Sequence, residues 1–533
     1  MFRKILVFSL MFLLFSLDNK AQYFEWISHH QSQYSLNPDM VNSPIAIFSD
    51  GAEVNARLDS FAIHYSQDAF GKVFLEKRDA AGIPSWSITL SKKVFIKKIV
   101  TDLNHNVYIC GGFMDTLNFD GLHELLNIAS GLNVNKFLAK IDAGGQLLWK
   151  RNLELTHPLT NLEDLQIDLS GNLWYAINDF NNSALYQVDS NGDDLDSLIQ
   201  DGALLLTSFS FDPYGNIFIA GATEGGIMTF GNQSYTVIPA YAKFIGRYDA
   251  NRNASWAHFA NDITFLNHKV VSDELGNAYL AGVIYDSTNF GTLTFPRPQW
   301  SQEFFLLKID SLGIFQWGKS NPAGTSAITG RFTPTADDCI DVDLAGNIYL
   351  SGRSAGILDW GNGVVLTAGL GQLYENRLSI ISFDPNGNTR WGKIFGSETY
   401  NKLNALKVAE NGDCYFNAAF RDNSVFDSTA YIGNSLMNFV IGKISASALT
   451  GVSKLFKNHF SIYPVPSSGK INISGDDVEV EIRIYDLSGK LMLNQVQYTR
   501  TILDASHLQD GYYLVKLISG KVNENISWVK LSK

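Results

Sequence analysis

Cysteine is scarce: Cys110, Cys339 and Cys414 are the three in 533 residues. An odd and small number leaves no disulfide framework, although Cys339 and Cys414 fall in neighbouring repeats and can pair. Cys110 and Cys414 sit in apolar runs where small buried side chains fit. No stretch sustains a helical period, so a fold built on helices is not expected. Basic residues do not cluster and the formal net charge is -12, which argues against nucleic acid and anionic membranes as partners. The histidines are scattered without an H-E-x-x-H pair, so neither a metal nor another cofactor is expected. The one long apolar run, Ile5 to Leu17 behind Arg3 and Lys4, is too short to span a bilayer. Residues 1–21 therefore read as a signal peptide cleaved near Ala21, with Asn19 a poor residue two positions before the cut, and no later segment reads as a membrane span.

What the chain has in quantity is glycine and aromatics, 44 glycines and 13% Phe, Trp and Tyr, arranged periodically. Turns of the form D-x-x-G place Asp where its carboxylate can accept backbone N–H bonds and Gly where a left-handed conformation is cheap. One set runs Asp168 to Gly171, Asp212 to Gly215, Asp273 to Gly276 and Asp343 to Gly346, usually with Asn next; Asp102 to His105 and Ala409 to Gly412 are degenerate copies. A second set runs Asp79 to Gly82, Asp142 to Gly145, Asp189 to Gly192, Asp310 to Gly313 and Asp384 to Gly387, with Asp249 to Arg252 the poorest copy. The sets interleave, which predicts four-strand antiparallel meanders, with strands a to d in chain order. The loop between b and c begins with an aromatic, at Phe119, Phe230, Phe290, Trp360 and Phe426, and strand d carries Trp86, Trp149, Trp256, Trp317 and Trp391. Burying one such ring is worth roughly 4 to 6 kcal/mol before opposing terms.

Successive second-set Asp residues are 63, 47, 60, 61 and 74 positions apart. That period suits propeller blades better than a sandwich. The 47-residue unit lacks the long b to c loop, and its strand d, Leu195 to Ile199, lacks the tryptophan. The last unit ends after strand c, Asn438 to Ile444, with no turn and no tryptophan strand following. Tyr23-Phe24-Glu25-Trp26-Ile27 matches the strand d pattern, so residues 23–27 are expected to complete the last unit and close the ring. The expectation is an all-β chain: a seven-bladed β-propeller over 22–446, a linker at 447–457 and a small immunoglobulin-like β-sandwich over 458–533. The first unit is the least regular, since Pro44 to Ser66 holds strands without a clean turn.

Residues about 40 to 445 resemble the seven-bladed β-propeller repeat family of bacterial surface proteins, through segments such as Asp343-Leu344-Ala345-Gly346-Asn347-Ile348-Tyr349-Leu350. That resemblance implies architecture and brings no shared catalytic residues. Residues about 455 to 533 resemble the type A C-terminal sorting domain of the type IX secretion system. Tyr463-Pro464-Val465-Pro466 with Gly469 is similar to its opening motif, with Val465 in place of the usual Asn. Ile484 to Lys490, including Asp486 and Gly489, matches the middle motif; Asp504, Ser506, Leu508, Gly511 and Tyr513 the next; Lys530 the terminal lysine. The resemblance implies a type IX translocon as partner, and a secreted or outer-membrane surface location after signal-peptide export to the periplasm.

Chemistry is thinly signalled. Gly352-Arg353-Ser354-Ala355-Gly356 matches G-x-S-x-G, but no helix follows to form a nucleophile elbow. Asp189 to Asp193 weakly matches a calcium loop, yet Asp194 stands where Gly is required and the segment falls in register with ordinary turns. No catalytic residue is assigned. In an a-b-c-d meander the a to b and c to d turns emerge at one rim, and the varied b to c loops and connections at the other. Arg297, Trp300, Arg331 and Tyr374 lie on the varied rim, where exposed aromatics beside Arg suit sugar or peptide contacts. The leading expectation is a non-enzymatic binder of an extracellular glycan or protein. A polysaccharide hydrolase or lyase using carboxylates of that rim, and a structural envelope protein, stay open as alternatives.

Overall fold

The computed structural model describes residues 22–531 apart from 33, 36, 66–67, 92, 120, 122, 128–133, 154–159, 180–182, 238–240, 262–267, 297–302, 322–329, 336–337, 369–376, 398–400, 428, 433–435, 447–459, 464–466, 476–478, 487–489, 500 and 520–521. The expected signal peptide and linker lie outside these residues. The chain divides into two compact units, split between 448 and 449. Nearly all regular structure is β-strand; one short 3-10 turn, Pro38–Met40, is the exception among the described residues. No described helix is long and apolar enough to cross a membrane.

The larger unit repeats one antiparallel meander, each named here by the residue that begins it. The Asn161 meander (Asn161–Ile167, Leu173–Asn178, Ser183–Val188, Asp194–Gln200) and the Leu205 meander (Leu205–Phe211, Ile217–Thr223, Ala242–Tyr248, Ala254–Asn261) have the expected a-b-c-d order. So do the Val94 meander (Val94–Thr101, Val107–Phe113, Asn135–Ile141, Leu147–Leu153) and the Lys269 meander (Lys269–Ser272, Ala278–Ile284, Glu303–Ile309, Phe315–Lys319). The Ile340 meander (Ile340–Val342, Ile348–Asp359, Arg377–Phe383, Thr389–Phe395) adds Arg331–Pro334 alongside its second strand. The Ile45 meander (Ile45–Ile47, Glu53–Tyr65, Asp68–Arg78, Pro84–Thr89) joins the Val94 meander through the single pair Gly71 and Val94. Its irregular first turn is Phe48 to Gly51, with Phe48 where Asp stands elsewhere and Gly51 at φ 81°.

First-set turns hold themselves closed with more than backbone. In Asp273 to Asn277, Oδ1 of Asp273 accepts from the backbone N–H groups of Leu275 and Asn277 at 3.0 and 2.9 Å. Its Oδ2 accepts from the Asn277 side chain at 2.8 Å and the Tyr279 hydroxyl at 2.9 Å. The same set recurs at Asp343, Asn347 and Tyr349 and at Asp102, Asn106 and Tyr108. The Asn after the turn glycine and the aromatic two positions later thus complete a carboxylate cap inside one local segment.

The last meander is assembled from both ends of the larger unit. Asn401–Val408, Cys414–Phe420 and Asn438–Ile444 supply three strands, and Phe24–Gln31 pairs with the third, Trp26 opposite Lys443 and His30 opposite Phe439. The register shifts between Phe24 and Trp26. Ladders at Trp86, Trp149, Trp256, Trp317 and Trp391 shift one residue before the tryptophan in the same way. The N-terminal strand therefore carries the bulge of a strand d as well as its tryptophan.

Those tryptophans reach the next meander. The Trp26 indole N–H donates to the Ala80 carbonyl at 3.1 Å, Trp86 to Ala143 at 3.0 Å, Trp149 to Ser190 at 2.9 Å, and Trp317 to Pro385 at 3.1 Å. Each acceptor lies in a second-set turn, whose glycine presses on the same ring: a Cβ on Gly82 would fall 2.5 Å from Trp26 and one on Gly387 3.0 Å from Trp317. Asp196 occupies the tryptophan register of the Asn161 meander. Facing it, the turn of the Leu205 meander ends in Arg252 at φ 64° instead of glycine, and Arg252 pairs with Asp196, donates to Gln187 Oε1 at 3.0 Å and lies 4.9 Å over Trp174. The unit without a tryptophan and the turn without a glycine are one paired exchange.

Apolar faces of adjacent meanders share cores, as where Phe218, Ala220 and Ile245 meet Val270, Leu280 and Leu307. The innermost strands touch in succession, and Ile45–Ile47 touches both Val94–Thr101 and Asn401–Val408. Along them lies a buried charge cluster: Lys98 pairs with Asp164 at 3.4 Å and with Asp338, and Lys407 approaches Asp338 at 3.7 Å. Burial alone would raise the Asp338 carboxyl, but Lys407, Lys98 and Lys269 hold it well below the usual carboxylate range. The three cysteines are buried and free, so Cys339 and Cys414 do not pair; Cys110 and Cys414 fill strand positions as small apolar groups.

Replacing Trp26 by Ala should cost about 3 to 5 kcal/mol by chemical denaturation. Asp196→Trp alone should destabilise because the indole meets Arg252. The double variant Asp196→Trp, Arg252→Gly should recover stability, with a coupling of about 1 to 3 kcal/mol in a double-mutant cycle.

Candidate functional site

Where the N-terminal strand meets the Ile45 meander, ionisable side chains are packed out of water. Glu53 is fully buried, with Asn55 donating to it at 3.1 Å and Arg78 in ion-pair contact at 3.3 Å. Arg78 also pairs with Glu76 at 2.8 Å, and Arg57 with Glu76 at 3.1 Å. His30, from the closing strand, contacts Arg78 at 2.9 Å and Glu76 at 3.7 Å. Burial, with Arg57 and Arg78 adding to it, lowers the His30 imidazole to about 4; burial raises the Glu53 carboxyl to about 8 against the pull of Asn55 and Arg78. These groups serve the seam, since the histidine on one strand and the carboxylates on the other come from different meanders.

At the edge where the turns emerge, the same seam opens into a cleft of about 440 Å³. Phe48, Thr101, Glu410 and Tyr415 line it, with Lys443 held between Asp413 at 2.9 Å and Glu25 at 3.0 Å. Most of its polar groups already have work: Asp413 accepts from Ala446 N–H at 2.7 Å and the Tyr415 hydroxyl donates to Gly51 at 2.9 Å. Sequence reasoning placed uniform turns here and missed the cleft, which exists only because the first and last meanders abut.

On the loop edge the b to c loops fold into small hairpins, such as Gly226–Phe230 with Gln233–Val237 and Ser424–Phe426 with Thr429–Tyr431. Their root aromatics, Phe119, Phe230, Phe290, Trp360 and Phe426, are buried. The hairpins clasp the preceding meander: Thr229 N–H donates to Asp201 at 3.1 Å, and Gly396 N–H to Val425 at 2.9 Å. Part of each loop thus braces the scaffold. Of the expected rim residues, Arg297, Trp300 and Tyr374 lie outside the described residues. Arg331 is described, half-buried at the start of Arg331–Pro334, opposite Ala355. Arg353 stands opposite Thr333 on the neighbouring strand and pairs with Asp39 at 3.1 Å.

Ser354 is buried within a continuous strand, its hydroxyl 2.7 Å from that of Ser379, so the G-x-S-x-G segment forms no elbow. Asp189 caps its own turn, accepting from Asn191 and Asp193 N–H groups at 2.8 and 2.9 Å.

The smaller unit has two antiparallel sheets, Phe460–Tyr463, Lys470–Gly475 and Ile502–Asp504 in one, and Leu491–Tyr498, Glu479–Tyr485, Gly511–Ser519 and Val522–Lys530 in the other. Ile471, Ile473, Ile482, Ile484, Val515 and Trp528 form its core. Sorting-motif residues far apart in sequence converge at one corner. Gly469, at φ 110°, lies where a Cβ would stand 2.5 Å from Ser506 Cα and 3.0 Å from Lys530 Cε. The Gly469 carbonyl accepts from Ala505 N–H at 2.7 Å, and the buried Lys530 ammonium pairs with Asp510 at 3.1 Å. Ser467 Oγ accepts from the Trp528 indole at 3.0 Å, and Tyr513 packs on that indole with centroids 5.3 Å apart. Asp486 closes its turn by accepting from Lys490 N–H at 3.0 Å. Pro464, Pro466 and Gly489 lie outside the described residues; Tyr463 ends the first strand.

Residues 461–530 match the family described as the secretion system C-terminal sorting domain. This tail directs the chain to export by the type IX secretion system, to the cell surface or extracellular space. No curated protein matches the chain. Among solved structures, the chain is similar to a streptogramin B lyase at 10% identity, over 78% of this chain and 98% of that one, with a TM-score of 0.39. It is similar also to a catalytically inactive virginiamycin B lyase from Staphylococcus aureus, at 8% identity over 78% and 99%, TM-score 0.38. A protein of unknown function from Bacteroides caccae matches at 13% identity over 55% and 93%, TM-score 0.29.

Two tests follow from these sites. His30 contributes stability that is present above its unfolded value of about 6.5 and lost as pH falls toward about 4; Glu53 contributes stability present below about 4.5 and lost as pH rises through about 8. Urea titrations of the wild-type protein and His30→Gln should therefore differ in slope between pH 6.5 and 4, with the variant flatter. Gly469→Val should unfold the tail, leaving a reporter fused to residues 455–533 in the periplasm of a type IX host; export at the wild-type level would contradict the corner geometry.

Proposed function

We propose that the larger unit, over 22–446, is a seven-bladed β-propeller closed by its N-terminal strand, and that it binds an extracellular glycan or protein through the loop edge. The smaller unit, over 458–533, is read as an immunoglobulin-like sandwich that hands the chain to the type IX translocon. Support for the ring comes from the contact of Ile45–Ile47 with both the following and the last innermost strands, and from Phe24–Gln31 filling the vacant outer position of the last meander.

The observation that carries the binding reading is the contrast between the two edges. One is built of short self-capped turns, while the other carries hairpins of differing length on buried aromatic roots, with Arg331 and Arg353 beside them. A rigid scaffold with one variable edge is how loops are presented for recognition. Purified protein applied to a glycan array, with reducing-end release measured in parallel, tests this. Retention without turnover is the expected result; release of reducing ends would favour a hydrolase or lyase, and neither would favour a structural role.

A further inference from the structure

We infer that the loop edge at the Ile340 meander is an oxoanion site that selects acidic polysaccharide, carrying carboxylate or sulfate groups, over neutral sugar chains. This rests on the glycan-binding reading of that edge and names its ligand class. Arg331 stands opposite Ala355, and Arg353 opposite Thr333, in the antiparallel pairing of Arg331–Pro334 with the long strand Ile348–Asp359. Residues offset by two in such a pair share a face, so the two guanidinium groups are diagonal neighbours. Arg353 has a counter-ion, Asp39, at 3.1 Å on the short turn Pro38–Met40. Arg331 has no hydrogen-bond or ion-pair partner among the described residues.

A half-buried guanidinium beside another is unfavourable without an anion, and burial followed by the Arg353 charge lowers Arg331 from its ordinary value. The chain has acidic residues to spare, with a net charge of -12, yet no described carboxylate meets Arg331. Other buried cations are paired, such as Arg78 with Glu53 and Glu76, and Lys98 with Asp164 and Asp338. Planar guanidinium forks match carboxylate and sulfate oxygens bidentately, with a second arginine alongside to share the charge. Asp39 is half-exposed and acts as an internal competitor, holding Arg353 until a ligand oxoanion takes its place.

Isothermal titration of the full mature chain with polygalacturonate, dextran sulfate, neutral dextran and polyglutamate tests the assignment. Polygalacturonate or dextran sulfate should bind, more weakly at higher salt, and neutral dextran should not. Arg331→Gln and Arg353→Gln should each weaken binding about tenfold or more with an unchanged melting temperature. Asp39→Asn should strengthen it, a gain that a purely structural Asp39 would not produce. Which acidic polymer binds separates carboxylate from sulfate. Equal binding of neutral dextran, retention of affinity in Arg331→Gln, or Arg331-dependent binding of polyglutamate in place of the sugars would overturn the inference while leaving the edge a binding surface. No binding to any polymer would overturn the glycan reading and this inference together.

Discussion

The contact between an outermost-strand tryptophan and the glycine turn of the following meander is the constraint on which the larger unit depends. A single four-stranded meander buries too little to stand alone. The indoles of Trp26, Trp86, Trp149 and Trp317 each cover the next turn and donate to its carbonyl, so those meanders are fastened both by an apolar face and at the outer edge. Glycine is required where the ring sits at van der Waals distance from the turn backbone. The Asp196 and Arg252 exchange follows the same logic with different chemistry. With the indole gone, a left-handed arginine fills the space and its guanidinium is neutralised by the aspartate in the tryptophan register.

Pairing of the N-terminal strand with Asn438–Ile444 extends that constraint to the last meander. Trp26 fastens the last meander to the Ile45 meander, and the His30, Glu76 and Arg78 cluster backs the same seam. The charges along the innermost strands add a second interlock, since Lys98 of the Val94 meander pairs with Asp164 and Asp338 of two others. Breaking such a buried network leaves an uncompensated charge, so these groups specify a single arrangement even where their net stabilisation is small. The turn-edge cleft and the loop edge are both consequences of this rigid assembly.

The export tail is organised differently. Its sorting motifs, read in sequence as separate signatures, meet where Gly469, Ser506 and Lys530 pack together, with Asp510 pairing the lysine. The sorting motifs thus form one folded corner made from the beginning and the end of the unit. On the loop edge, by contrast, Arg331 meets no carboxylate among the described residues.

The alternating turn motifs, the aromatic roots and the tryptophan strands were legible from sequence because each is local: a carboxylate, the N–H groups two and four residues on, and a glycine fall within one short segment. The pairing of Phe24-Glu25-Trp26 as a strand d was legible too, since its tryptophan pattern repeats that of the other d strands. Only the tertiary structure decided the rest, because it depends on residues brought together from distant segments. Phe48 to Gly51 forms a turn without the Asp signature. Arg252 answers Asp196 across 56 positions, Lys98 answers Asp338 across 240, and Arg353 meets Asp39 across 314. Charge pairing and burial are set by distance in space, and no spacing along the chain encodes them.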